Sequence, residues 1–178
     1  STHGVSEPPG TDFHEFRVLD NGNHLMLGFQ DRMVDMDTVV PGGHPGVTVR
    51  GARIQEKNHQ DSIVWEWSSW DHFKITDAID EHVDLTDSNF VDYVHANAID
   101  QDTDSTILIC SRNMFEITKI NKNTGEIIWR LGGENNQFTS NGDTVQFSGQ
   151  HHIRKLENGN YLLFDNGWNR EPVFSCAV

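Results

Sequence analysis

Three histidines lead three copies of one local pattern. His14 is followed by Asn21-Gly22 and His151 by Asn158-Gly159, each time seven residues on. An Asn-Gly pair between apolar runs marks a type I′ hairpin, because both central residues need φ > 0. Each unit therefore reads as strand, tight turn, strand, with the histidine near the head of the first strand. A weaker third copy starts at His95, runs through Ala96-Asn97-Ala98-Ile99-Asp100, loops over 102–105 and returns as Thr106-Ile107-Leu108-Ile109-Cys110. A unit repeated three times, each led by a histidine, predicts imidazoles converging on one axis. A neutral imidazole, with an ordinary pKa of about 6.5, is a good nucleophile near neutral pH. His152 follows His151 but points to the other strand face, which is a structural position.

The elements that must hold these groups are short strands. Residues 12–30 form the first hairpin, and 49–56 and 62–67 the next two strands. In the last of these, Ile63, Trp65 and Trp67 share one face, a half-buried strand pattern. Residues 94–99, 106–111, 114–121 and 126–131 make four more strands, with Asn123-Thr124-Gly125 as a turn. Tyr161-Leu162-Leu163-Phe164 is rich in strand formers, and a last strand begins at Val173. Residues 1–11 read as an extended or loose entry, 31–48 as an irregular loop and 132–148 as a polar loop. The acidic stretch 68–90 holds one candidate helix, around residues 70–82, with a poor apolar stripe. Four short antiparallel strands, a loop and a restart describe one blade of a β-propeller. The expected fold is therefore all-β, as one incomplete propeller domain over residues 1–178. Its approximate blades are 12–67, 91–132 and 149–178.

At 178 residues the chain can bury one sizeable core. Its net charge of −14 and pI of about 4.9 argue against nucleic acid or an anionic membrane as partner. A local positive pocket for an anion remains compatible with that balance. No apolar run approaches the ~20 residues that cross a bilayer. Cys110 and Cys176 set no compartment; Cys110 lies in an apolar strand, where a buried thiol and a disulfide are equally compatible.

Two longer blocks carry a family resemblance. The first is His95 followed by Ile107-Leu108-Ile109-Cys110-Ser111-Arg112 and Lys119-Ile120-Asn121-Lys122-Asn123-Thr124-Gly125-Glu126-Ile127-Ile128-Trp129-Arg130-Leu131-Gly132-Gly133. The second is Gln150-His151 running into Leu156-Glu157-Asn158-Gly159-Asn160-Tyr161-Leu162-Leu163-Phe164-Asp165-Asn166-Gly167. Both resemble bacterial arylsulfotransferases, and the Phe13-His14 hairpin resembles the matching earlier blade. The resemblance covers residues 12–30 and 91–167.

It implies a six-bladed propeller, of which this chain would supply about two and a half blades, in an extracytoplasmic protein, periplasmic or secreted. The implied reaction moves a sulfuryl group from a phenolic sulfate ester to another phenol, with no nucleotide sulfate donor, through a sulfated histidine. It requires the full propeller. By motif, His151 matches the nucleophile, while His95, Arg112 and His14 match residues that hold the sulfuryl oxygens. No cofactor is implied. Implied partners are aryl sulfates, phenols and the rest of the propeller or a second copy. The chain departs from the pattern in three ways. It has about half the family's propeller length, lacks the amino-terminal sandwich domain and has widely separated cysteines.

The chemistry suits these residues. Sulfuryl transfer, like phosphoryl transfer, spreads charge over equatorial oxygens, so positioned cations and N–H donors supply most of the catalysis. Arg112 offers a planar fork that stays charged. Tyr93, Trp168 and Phe13 are candidate walls for a phenol. Trp65, Trp67 and Trp129 are expected to pack between blades. The run 123–129 also resembles the tryptophan-docking repeat of quinone-cofactor propeller dehydrogenases, but no cofactor-stacking Trp or metal-binding carboxylate accompanies it. No histidine pair has a diagnostic metal-ligand spacing, so no metal is expected. The acidic clusters at 31–37 and 77–87 read as solvated loops. The alternative to an enzyme is a non-catalytic propeller module for binding or assembly. What separates the two is whether His14, His95, Arg112 and His151 meet in one pocket.

Overall fold

The computed structural model describes residues 10–103, 105–140 and 146–178. Most of the entry segment expected over 1–11, residues 141–145 of the polar loop and Asp104 lie outside the described residues. Among the described residues, twelve strands build three sheets. The first sheet holds β1 (Gly10–Val18), β2 (His24–Val34), β3 (Val47–Lys57) and β4 (Ile63–Ser68) in that order, with β5 (Phe90–Asp92) added to β3. The second holds β6 (Ala96–Thr103), β7 (Thr106–Ser111), β8 (Glu116–Asn121) and β9 (Ile127–Gly132). The third holds β10 (His151–Lys155), β11 (Tyr161–Asp165) and β12 (Cys176–Ala177).

The all-β expectation holds, and the sheets are antiparallel with one exception. β5 runs parallel to β3, pairing Thr48 with Phe90 and Arg50 with Asp92. This departs from the antiparallel blades read from the sequence. Three residues of pairing leave no hairpin signature to read.

The first hairpin is longer than expected. β2 and β3 pair without interruption from His24↔Lys57 to Val34↔Val47. Residues 31–34 and 47–48, the two ends of the loop expected over 31–48, are therefore strand, while 35–46 stay irregular apart from a short 3-10 turn. Asp31 is no solvated loop residue, because Arg50 on β3 meets it with two hydrogen bonds of 2.8 Å.

The helix expected around 70–82 is absent. Its place is taken by two three-residue 3-10 turns, Ser69–Asp71 and Ile75–Asp77. The acidic side chains compete for the backbone donors a helix needs. Asp77 accepts from the N–H of Lys74, Asp80 from His82, Asp84 from Thr86 and Asp87 from Asn89. The N–H groups of Ile79 and Asp80 turn instead to the carbonyl of Asn113.

The second sheet is buried on both faces, which explains its unbroken apolar run. Ile99, Ile107, Ile109 and Ile120 pack with Leu25, Leu27, Val49 and Ile54 of the first sheet. Ala98, Leu108, Cys110 and Ile117 pack with Ile153 and Leu163 of the third. Each such fully buried aliphatic contributes about 1.5–3 kcal/mol before entropy is counted. Cys110 is a free buried thiol, and burial pushes its pKa up to about 12. Trp65 and Trp67 reach across to the β8–β9 turn, donating indole N–H bonds to the carbonyls of Lys122 (2.7 Å) and Gly125 (3.1 Å). Trp129 meets Tyr161 of the third sheet, with ring centroids 5.9 Å apart.

The first strands of the sheets touch. β6 contacts both β1 and β10. Side-chain amides lock the second junction. Gln150 donates to the carbonyls of Ser111 (3.0 Å) and Glu116 (3.2 Å), and Asn97 donates to the carbonyl of Gln150 (2.9 Å).

Candidate active site

Each site histidine sits where its strand breaks register. In β1 the pairing jumps from Thr11↔Gly28 to Phe16↔Met26, so His14 lies inside a wide irregularity. In β6 it jumps from Ala96↔Ser111 to Ala98↔Cys110, beside His95. In β10 it jumps from His151↔Phe164 to Arg154↔Leu162. A bulge bends the strand and re-aims a side chain that regular pleating would send elsewhere. Two residues there take left-handed backbone without being glycine, His95 (φ 45°) and His152 (φ 62°). His95 thus falls one residue before β6 rather than on an innermost strand, as the expected blades had it.

The three imidazoles converge. Ring centroids lie 5.5 Å apart for His14 and His95 and 6.4 Å apart for His14 and His151. One ring nitrogen from each lies within 4.8 Å of those of the other two. Nδ1 of every ring is already engaged. His14 Nδ1 is 2.6 Å from Asp12 Oδ1, and His95 Nδ1 is 3.0 Å from Asp92 Oδ2. His151 Nδ1 is 2.9 Å from the carbonyl oxygen of Gly149. The Asn166 amide nitrogen also lies 3.4 Å from this Nδ1 but donates at 2.5 Å to the same Gly149 carbonyl. A carbonyl oxygen only accepts, so the shorter Gly149 contact puts the proton on Nδ1 and leaves the Nε2 lone pair free. Burial lowers the pKa of His151, and the charges of His95, Arg112 and His14 lower it further, against the Gly149 hydrogen bond. His151 is therefore neutral at pH 7.

Arg112 opens a 3-10 turn directly after β7. Its Nη1 lies 2.5 Å from Asn113 Oδ1 and 3.3 Å from Asp80 Oδ2. Its guanidinium carbon sits 4.3 Å from the centroid of the Trp168 ring. Asp165, at the end of β11, accepts the N–H groups of Ser148 (2.9 Å) and Gly167 (2.8 Å). It thereby draws the loop bearing Gly149 against the loop bearing Trp168. Three imidazoles thus face one another, with the backbone N–H of Arg112 bonded to the carbonyl of His95 (3.1 Å) and its charge acting on His151, a group that can hold an oxyanion and present a nucleophilic nitrogen.

Residues 3–175 match the family model described as Arylsulfotransferase (ASST). The chain belongs to the arylsulfotransferase family. No curated protein matches it.

Within this arylsulfotransferase chain, the aromatic walls expected from sequence separate. Tyr93 is fully buried, with its hydroxyl 2.8 Å from Ser69 Oγ, so it cannot wall a phenol. Trp168 spends its face on Arg112. Phe13 alone is exposed beside the site, stacked on His14 at 4.3 Å. His152 is exposed, 3.1 Å from Arg154 and apart from the histidine cluster.

Other contributors were not singled out in the sequence. Asp12 and Asp92 orient two of the imidazoles. The Asp-x-His spacing at Asp12–His14, repeated at Asp80–His82, was the available signal. Arg50 had none, because it approaches only when β3 pairs with β2 and β5. It lies 3.7 Å from the Phe29 ring centroid and helps line a cavity of about 160 Å³ with Asp12, His14, Asp92 and His95.

Proposed function

We propose that this chain carries the centre of an aryl-sulfate sulfotransferase that works through a sulfohistidine at His151. The observation that carries the reading is the meeting of His14, His95 and His151 with one neutral, correctly tautomerised imidazole among them. Nε2 of His151 attacks the sulfur of a phenolic sulfate ester. The N–S bond forms as the S–O bond to the ring breaks, and its electron pair leaves on the phenolate. The sulfurylated imidazole carries positive charge, which the Gly149 carbonyl facing Nδ1–H stabilises. His14 and His95, each held by a carboxylate, donate to the sulfuryl oxygens together with Arg112. One of these two histidines gives a proton to the departing phenolate. The same imidazole accepts the proton of the acceptor phenol as that oxygen takes the sulfuryl group and the N–S pair returns to Nε2. Two easier steps replace one difficult transfer, and the kinetics are ping-pong.

The three sheets are read as successive blades of one partial six-bladed propeller, approximately residues 12–67, 91–132 and 149–178. The contacts of β6 with β1 and β10, the strands at or beside the histidines, support that reading. Among the described residues no helix is long and apolar enough to cross a membrane. The extracytoplasmic setting is proposed from the family. The test is to mix the full-length protein, carrying the whole propeller, with an aryl sulfate, quench it and map sulfated peptides by mass spectrometry, while following phenol release with and without acceptor. An adduct on His151 is expected. An adduct elsewhere removes the assignment. Neither adduct nor release with any aryl sulfate makes a non-catalytic binding or assembly module the better description.

A further inference from the structure

We infer that His14, His95 and His151 form a three-nitrogen seat for a first-row divalent cation such as Zn²⁺, whose occupancy takes the His151 nucleophile out of use. The seat stands on geometry alone; its effect on sulfuryl transfer rests on the reading above.

Three features support a seat. The first is proximity, with one nitrogen from each ring within 4.8 Å of the others. Zinc bound tetrahedrally at about 2.0–2.1 Å needs nitrogens roughly 3.3 Å apart, so closure takes movement on the order of an ångström. The second is the outer contacts. Metal-bound histidines donate their second ring N–H to a carboxylate or a backbone carbonyl, which fixes the tautomer and raises ligand basicity. All three rings already do so, to Asp12, Asp92 and the Gly149 carbonyl. The third is an open fourth position. The rings come from β1, the residue before β6 and β10, and are each only partly buried, so water or chloride can complete the shell.

Charge does not forbid the ion. Arg112 and Arg50 oppose a cation, but Asp80 lies 3.3 Å from the first, Asp31 pairs with the second, and Asp12 and Asp92 place two carboxylates behind the ligands. A chain with ligands spread over residues 14, 95 and 151 shows no metal spacing, and so none was expected from sequence. The nitrogen that would bind zinc on His151 is the one that would attack sulfur. The two uses exclude each other, and zinc is thereby an inhibitor competitive with aryl sulfate.

The experiment uses the full chain without a polyhistidine tag, stripped by chelator and kept in chloride buffer. Zn²⁺ alone is titrated by calorimetry, and Co²⁺ by its visible bands. One equivalent is expected, with intense tetrahedral-type Co²⁺ absorption. His95→Ala and His14→Ala should each lose at least tenfold in affinity, and Asp92→Asn should lose about 10–100-fold. His152→Ala should bind as wild type, and circular dichroism checks that each variant folds. Diethyl pyrocarbonate labelling, mapped by mass spectrometry, reports the free His151 nitrogen without any turnover. One equivalent of Zn²⁺ should block that label.

Absence of binding, or binding undiminished in both His95→Ala and His14→Ala, overturns the seat. Binding that leaves His151 labelled overturns its loss as a nucleophile. If zinc binds and protects but the stripped protein transfers no sulfuryl group, the transferase reading falls and the seat stands. If the stripped protein turns over and binds no zinc, only the seat falls.

Discussion

The Nδ1–H of His151 points at the carbonyl oxygen of Gly149, 2.9 Å away, so a backbone group two residues upstream decides which imidazole nitrogen is free. Gly149 itself has φ 60° and lies beneath the Trp168 ring that carries Arg112. Gly149 thus both sets the tautomer of His151 and seats the Trp168 ring on which the Arg112 guanidinium lies.

Replacing the nucleophile should be absolute. His151→Ala is expected to release no phenol and to form no adduct, because the proposed reaction gives the attack to His151 and leaves His14 and His95 to hold the sulfuryl oxygens. Phenol release at the wild-type rate by this variant would show that the attack comes from elsewhere.

The pH dependence follows from the lowered pKa of His151. The unfolded chain, with an ordinary imidazole near 6.5, binds this proton at a higher pH than the folded one. The contribution is therefore fully present above about pH 6.5. It is lost as pH falls from there through the folded pKa, and it changes no further below both. Urea midpoints measured from pH 8 to pH 5 should fall more steeply for wild type than for His151→Asn. The acid limb of turnover should lie below 6.5 for the same reason. Equal slopes in the two proteins would contradict a depressed pKa.

Arg112→Ala should leave a slow enzyme rather than a dead one. Loss of one donor to a charge-developing oxygen costs roughly 2.7–4 kcal/mol, about a hundred- to a thousandfold in rate. Arg112→Lys should recover only part, since a point charge neither stacks on Trp168 nor presents a fork. Full recovery by Lys would mean that charge alone matters there.

Gly149→Ala should destabilise more than Gly159→Ala. Both glycines have positive φ, so both substitutions carry left-handed strain. A Cβ at Gly149 would also lie 2.9 Å from atoms of the Trp168 ring, whereas at Gly159 nothing lies within 4 Å. The added overpacking is expected to cost about 1–3 kcal/mol, read as a lower urea midpoint at unchanged m-value. Indole fluorescence should shift in Gly149→Ala alone.

Association is expected through β1. It is the edge strand of its sheet and exposes Phe13, Phe16 and Val18 at 92%, 57% and 71%. Such an edge pairs with more protein. Light scattering should report a mass above one chain at high concentration, reduced in Phe16→Lys. A monodisperse monomer with a cooperative melt would count against it.

Much of this was legible in order along the chain because the signals are local. Asn21-Gly22, Asn158-Gly159 and Asn123-Thr124-Gly125 turn where expected, but the two hairpins are not type I′. Only Gly22 and Gly159 take positive φ, Asn21 and Asn158 do not, and the closing N–H bonds run from each glycine to Leu19 and Leu156, a turn followed by a left-handed glycine. The strands over 96–132 appear within a few residues of their expected bounds, because alternation and apolar runs are set by neighbours. The histidine register was also readable, as it repeats at one spacing. Tertiary structure decided what depends on distant partners. β5 joins β3 in parallel, and Arg50 enters the site, only because strands far apart in sequence pair. The stretch 70–82 forsakes helix because its carboxylates and the Asn113 carbonyl capture its backbone N–H groups. Periodicity alone does not register that competition. Residue type allowed His151 to be a nucleophile. Its bulge, its burial and the carbonyl beneath it, all consequences of packing three sheets together, settled its tautomer and its charge.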